Sequence, residues 1–275
     1  MNITYYSNAG TSINFQSYPY KFVSYTGNGL EAVINTTPIV GKGSLETGMR
    51  LDERLFSLSI IVEGAGESDV ACKVRSLYTK LNPVYSGYLT FEFPNSSYRL
   101  YCRPEKVIPS RELGSGRRFY KTTISFRAPD PLFYEETENT VNFGDYAAGF
   151  RFPFRFPINF GKNGSKNYLT NDGEWEAPFY IRLSGDLEYP VIYNRTTDQN
   201  IRVNTILSGT DYLEISTRPG DEYIKLNGVN AYQYFDDASE FFKLIIGENF
   251  IQYKSIGDTA NFTAIMTYRR GFLGI

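Results

Sequence analysis

Histidine is absent from all 275 residues. That absence removes histidine-based nucleophilic triads, imidazole metal ligands and the commonest general base near neutral pH. Cysteine is scarce as well: Cys72 and Cys102 are the only two, too few for a thiolate zinc site. A disulfide between them is possible in principle, but one such pair, in a chain without an export signal, reads more simply as two reduced and buried thiols. A dominant charge is also missing. Twenty-eight basic residues face 30 acidic ones, a formal net charge of −2, so the molecule lacks the global basicity of a nucleic-acid wrapper. No apolar run approaches bilayer-spanning length, and no membrane insertion is expected. The opening MNITYYSNAG has neither the basic nor the apolar region of a signal peptide. No D-x-D-x-D-G loop occurs, and the GAGE turn at Gly64–Glu67 lacks the Lys-Ser/Thr of a phosphate loop. Neither a metal nor a cofactor is expected. Six N-x-S/T sequons, at Asn2, Asn35, Asn95, Asn163, Asn194 and Asn261, read as turn chemistry in a chain that is not secreted.

What the chain has in abundance is Tyr and Phe, 23 and 21 of them, against a single Trp, Trp175. These residues suit half-buried pleated surfaces and lean the composition toward β structure. INFQSYPYKF, AVINTTPIV and LFSLSIIVEG read as strands separated by Gly-containing turns. Then the period changes. Val70, Ala71, Val74, Leu77, Tyr78 and Leu81 fall on one stripe of a helix over about 68–81, with Ser68 as N-cap and Asn82-Pro83 as the stop. YSGYLTFEF, SSYRLYCRP and FYKTTISFRAP follow as strands. Pro129-Asp130-Pro131 then ends the ladder, because proline lacks the donor N–H and fixes φ. A domain boundary is expected there, with Phe133 and Tyr134 packing back onto the last strand.

The expected division is an N-terminal β-sandwich-like domain over 1–136, containing the helix, and a C-terminal domain over 137–275. In the second part FRFPFRFPINFG reads as an edge strand, Asn227-Gly228 as a two-residue hairpin turn with φ > 0 at both positions, and Asp236–Leu244 as a short helix. Short strands with such turns argue an antiparallel sandwich.

The ordered series of a helix ending in LNP, then YSGYLTFEF, YCRP and ISFRAPDPLFY, resembles the N-terminal half of the distal tail proteins of long-tailed bacteriophages or related prophage tail elements. NDGEWEAPFYIRLSGDLEYPVIYN, LEISTRPG, KLNG, SEFFKLIIGENFIQY and AIMTYRRGFLG are similar in wording and order to that family's C-terminal half. The resemblance implies a structural virion protein, not an enzyme, that forms a hexameric ring through its N-terminal domain at the tail tip. Its partners would be copies of itself, the tail tube protein, tail-tip or tail-associated proteins and a receptor-binding protein. Tape-measure protein and DNA would pass through the channel as cargo. The protein would be assembled in the host cytoplasm and reside in the virion tail tip. The C-terminal domain would be a galectin-like sandwich, a shape that does not by itself mean sugar binding.

Several residues invite a sharper reading. The segment Arg99–Lys121 carries seven basic side chains against two acidic ones. Its PSRELGSGRR portion reads as a long hairpin loop, either solvated or reaching a neighbouring subunit with Arg111, Arg117 and Arg118 paired to carboxylates there. Glu174 and Glu176 flank Trp175, and Asp236 adjoins Asp237. As carboxylate pairs they raise glycoside hydrolysis, yet they read more simply as surface charge. Trp175 could stack on a sugar, the basis of a rival reading as a carbohydrate-binding module for host cell-wall polysaccharide. Asp52, Glu53 and Arg54 precede a strand and read as edge charges.

Overall fold

The structure, a computed structural model, describes residues 1–110, 118–143, 166–256 and 262–275. It is mainly β, as the composition implies. The chain forms two compact units, Met1–Glu136 with Phe272–Ile275, and Thr137–Gly271. The expected edge strand FRFPFRFPINFG lies outside the described residues.

In the first unit the strands are β1 (Asn2–Ser7), β2 (Ser12–Asn14), β3 (Tyr20–Thr26), β4 (Ala32–Pro38), β5 (Ser44–Leu51) and β6 (Arg54–Glu63). The helix α1 (Glu67–Lys80) follows, then β7 (Gly87–Glu92), β8 (Ser97–Ser110), β9 (Phe119–Ala128) and β10 (Phe133–Glu135). Hydrogen bonding runs β2-β1-β7-β8-β9-β6-β3. The 14-residue β8 makes this path fold over. Its first part pairs with β7 through Ser97–Cys102, and its second part pairs with β9 from Arg103 onward. A register shift between Pro104 and Lys106 marks the corner, where proline's missing donor falls at the irregularity. The enclosed core joins Ile3, Tyr5 and Phe91 from one part to Phe56, Leu58, Ile60 and Phe126 from the other. Strict alternation in β6, with every second residue buried, is the period-2 pattern of a one-sided strand.

The helix contributes Val70 and Leu77 to the interior. Its N-cap differs from the expected Ser68. The cap is Gly66, with no side-chain bond. Asp69 does the local work instead, accepting from the Ala65 N–H at 2.8 Å and from Lys73 Nζ at 2.7 Å.

The double proline acts as a pinned exit. Asp130 Oδ1 accepts from the Leu132 N–H at 3.2 Å and Oδ2 from the Tyr134 hydroxyl at 2.6 Å. Phe133 is fully buried, edge-on to Phe91 at 5.5 Å, and β10 pairs with β8.

The second unit comprises β11 (Asn139–Phe143), β12 (Lys166–Asn171), β13 (Phe179–Gly185), β14 (Leu187–Asn194), β15 (Gln199–Arg202), β16 (Ile206–Leu207), β17 (Tyr212–Arg218), β18 (Asp221–Leu226), β19 (Val229–Asn230), β20 (Gly247–Ile256) and β21 (Phe262–Tyr268). Among the described residues these make a six-stranded sheet, β11-β21-β13-β17-β18-β19, and a five-stranded one, β12-β20-β14-β15 with β16 on β14. Ile181, Leu183, Ile215 and Met266 of the first share one core with Ile192, Ile201, Ile251 and Tyr253 of the second. This is an antiparallel β-sandwich. Asn227 and Gly228 adopt φ of +52° and +80° between β18 and β19, as that turn requires.

Asp236–Leu244 is not a helix. A single 3-10 turn spans Tyr232–Tyr234 instead. Asp236 Oδ1 accepts from the Ala238 N–H at 3.0 Å, and the N–H groups of Glu240 and Leu244 donate to the carbonyls of Asn200 and Ala177. The backbone donors that a helix would direct four residues back are engaged by neighbouring strands.

Candidate functional site

Arg54, read as an edge charge, is the first residue of β6 and only 4% exposed. Its Nε–H donates to the Pro131 carbonyl at 2.7 Å, Nη1 to those of Gly27, Asn28 and Gly29 at 2.8–3.0 Å, and Nη2 to that of Leu273 at 2.7 Å. The guanidinium carbon lies 4.6 Å from the centre of the Phe133 ring. Burial lowers its pKa, and carbonyl oxygens rather than carboxylates surround it. Gly27, at φ +91°, approaches the Leu55 carbonyl so closely that a Cβ would sit 2.0 Å from it. The Asn28 side chain and the Ile275 backbone also bond each other. This hub fixes the chain's last residues in the first unit, where the two-residue strand β22 (Gly271–Phe272) has β10 as its partner.

Three surfaces of the first unit stand out. The ribbon β4–β5 pairs with no other strand among the described residues. Register places Ala32 opposite Leu51 and Ile34 opposite Met49, so one of its faces is apolar. Ile34 and Met49 are 57% and 51% exposed, and Val40 at the tip is fully exposed. A two-stranded ribbon is marginal alone in water, and an uncovered apolar face of this kind marks an association surface.

The second surface is the outer face of β3-β6-β9-β8. Its rows run Thr26–Ser57–Ser125–Lys106 and Ser24–Ser59–Thr123–Ile108. Ser57 and Ser125 hydroxyls bond at 2.9 Å and those of Ser59 and Thr123 at 3.0 Å. Small hydroxyl side chains therefore occupy the middle of the face. At one end Arg127 pairs with Glu53 and, at 2.6 Å, with Glu105.

The third is an aromatic row across β1, β7 and β8. Tyr6 stacks on Tyr88 at 5.2 Å, Tyr88 meets Tyr101 edge-on at 6.0 Å, and Arg99 lies 4.2 Å over Tyr88 while paired with Glu136. Beside it opens a groove of about 780 Å³ lined in part by Tyr88, Tyr101, Pro104 and Pro129.

Of the arginines expected in an intersubunit arm, Arg118 is exposed at the start of β9. Arg111 and Arg117 lie outside the described residues. Trp175 is half-buried, and its carbonyl accepts from Asn171 Nδ2 at 2.9 Å in a turn bridged to Gly271. Glu176 faces Lys243 at 3.8 Å. Asp236 is held by Asn204 Nδ2 at 3.1 Å, which lowers its pKa. Among the described residues no three of Cys, Asp or Glu gather as a metal site would require. Cys72 is exposed and Cys102 buried, both as free thiols; burial pushes the Cys102 thiol pKa up. Cys72 thus departs from the expectation that both cysteines would be buried. Its position on α1 lies off the Val70–Leu77 stripe that faces the core.

The sequence reading missed the hub and the ribbon. Serines alternating through LFSLSII carried the signal for the hydroxyl face. The Arg54 contacts carried none, because their acceptors are backbone atoms.

The class of protein follows from comparison. Residues 172–272, most of the second unit, match the family described as "Siphovirus-type tail component, C-terminal domain". The resemblance to distal tail proteins is borne out. The SPP1 Dit protein, whose crystal structure is described as a paradigm of the hub adsorption apparatus in phages infecting Gram-positive bacteria, superposes with a TM-score of 0.73 at 18% identity, over 98% of this chain and 99% of that one. Chains from the phage p2 baseplate in its activated conformation, with Ca and with Sr, superpose with a TM-score of 0.58 at 12% identity, over 98% of this chain and 97% or 98% of theirs. No curated protein sequence matches the chain.

Proposed function

We propose that this protein is the hub of a phage tail tip. Six copies close a ring that joins the tail tube protein to the tip, tail-associated and receptor-binding proteins. The domain over residues 1–136 makes the ring, and the sandwich that follows faces outward. Tape-measure protein and DNA leave through the opening, the protein is assembled in the host cytoplasm, and it catalyses nothing.

The observation that carries this reading is the likeness to SPP1 Dit over nearly the whole of both chains. The ribbon β4–β5 supports it, because its apolar face needs a cover that a neighbouring copy supplies in a closed ring. The hydroxyl face of β3-β6-β9-β8 supports it too. Serine and threonine hydroxyls hold the middle of that face, with Lys21, Lys106 and Lys121 around them, so a passing polyanion meets scattered charge rather than a continuous cationic track that would hold it. Arg111, Arg117 and Arg118 reach carboxylates of the next copy.

Negative-stain electron microscopy of the purified protein, alone and with its tail partners, tests the proposal. Hollow six-fold rings are expected. Solitary particles under both conditions overturn it. Ile34→Asp with Met49→Asp should shift rings to single chains while leaving the fold intact by circular dichroism.

A further inference from the structure

The five-stranded sheet of the second unit has one face in the core and one toward solvent. On the solvent face Arg202, Val191 and Lys254 form a row across β15, β14 and β20, and Asn200, Tyr193 and Gln252 form the next. Opposed residues in such rows stand ~5 Å apart at Cβ, which sets the Cβ atoms of Arg202 and Lys254 ~10 Å from each other with Val191 between them. The Arg195 guanidinium lies 4.1 Å and the Lys254 ammonium 5.5 Å from the centre of the Tyr193 ring. A cavity of about 380 Å³ opens here, with Val191 as part of its floor and Tyr189, Tyr193, Arg202, Asn204 and Lys254 in its walls. Among the described residues, no carboxylate lies within ion-pair distance of Arg195, Arg202 or Lys254. Asp236, whose pKa Arg202 helps to lower, is already engaged by Asn204 and the Ala238 N–H.

The backbone here is unusual. Tyr189 adopts φ +49°, and the β14–β20 register shifts between Glu188 and Val191. A large side chain is disfavoured in the left-handed region, and such outliers persist only where the surroundings hold them. The Tyr189 N–H bonds the Thr205 carbonyl at 2.9 Å, and Ser255 Oγ bonds both the N–H and the carbonyl of Glu188. Bulges of this kind re-aim a side chain. Glycine would take the same turn without strain; what tyrosine adds is a ring in the cavity wall. Farther along the face, Tyr168 and Phe250 stack at 4.7 Å, with Tyr168 73% exposed. This stacked pair lies on the same sheet face as the cavity, beyond the row that holds Gln252.

We propose that this face binds an anionic saccharide chain. A sugar ring lies against Tyr189 and the chain continues toward Tyr168, while phosphate or carboxylate groups on it meet Arg202 and Lys254. An acidic peptide would use the cations and leave the aromatic faces unused. The inference is read from the single chain and stands apart from ring assembly.

Calorimetric titration of the full-length protein tests it. The probes are a glycosylated poly(glycerol phosphate), polygalacturonate, neutral dextran, polyphosphate and polyglutamate. At least one of the first two should bind, and which one does tells phosphate from carboxylate. Arg202→Gln and Lys254→Gln should each weaken that binding about tenfold, and added salt should weaken it further. Tyr189→Gly should abolish it while the melting temperature holds or rises, since the strain is released. Failure of both anionic glycans to bind overturns the proposal. So does equal or tighter binding of dextran, polyphosphate or polyglutamate, or unchanged binding in all three variants.

Discussion

Replacing Arg54 by Met removes every donor of the hub while keeping an unbranched, apolar stem of similar reach. Five N–H···O contacts, to Pro131, Gly27, Asn28, Gly29 and Leu273, disappear together. A hydrogen bond from a charged donor contributes about 1.5–3 kcal/mol net, and such losses do not add. The acceptors of the 27–29 loop are half-buried or exposed, so water recovers part of the loss there. Counting roughly two bonds' worth gives ~3–5 kcal/mol, with the contact over Phe133 included. For a unit of this size each kcal/mol moves the melting temperature by roughly 4 °C, so a drop of about 12–20 °C is expected. Arg54→Lys should fall between the two, because one compact ammonium cannot reach segments that a planar fork bridges. Differential scanning calorimetry reads the global effect. Hydrogen exchange reads the local one, with protection lost around residues 27–29 and 272–275. If Arg54→Met melts within about 2 °C of the parent and exchange at those segments is unchanged, the hub is not what holds them.

Three further outcomes concern other parts of the molecule. Gly87→Ala would place a Cβ 2.1 Å from the Tyr6 carbonyl oxygen and 2.8 Å from the Tyr5 hydroxyl. Denaturant unfolding should show a loss of about 1–3 kcal/mol from this overpacking. Asp69, Asp211 and Asp236 all have folded pKa values held below 3.8, by hydrogen bonds chiefly from Lys73, Asn227 and Asn204. A lowered carboxyl pKa adds stability that is complete above the unfolded value and fades as pH falls through the folded one. The melting temperature should therefore stay flat down to about pH 4 and decline below it, and Asn227→Ala should blunt that decline. With a thiol-reactive dye the native protein should label at Cys72 alone, and Cys102 should react only after unfolding.

Much of this was legible in the sequence because period-2 burial is written in side chains: LFSLSIIVE alternates along β6 as the structure buries it. The helix from Glu67 and the Asn227-Gly228 turn declared themselves by spacing and by residue type. What stayed hidden depended on partners remote in the chain. Arg54 looks like any surface cation until carbonyls from residues 27–29, 131 and 273 converge on it. Asp236–Leu244 has helical spacing, yet its backbone donors find strands first. The Tyr189 cavity needs three strands in register and a bulge, none of which leaves a local pattern.

The return of Phe272–Ile275 to the first unit has a consequence for synthesis. On the ribosome, N-terminal domains ordinarily fold while the rest of the polypeptide is still emerging. Here residues 1–136 can collapse early, but the hub's Leu273 acceptor is translated long after them, beyond the whole second unit. A chain released prematurely would leave that guanidinium bond unmade and the 27–29 loop less firmly held. The stability of the part made first thereby depends on residues made after the second unit.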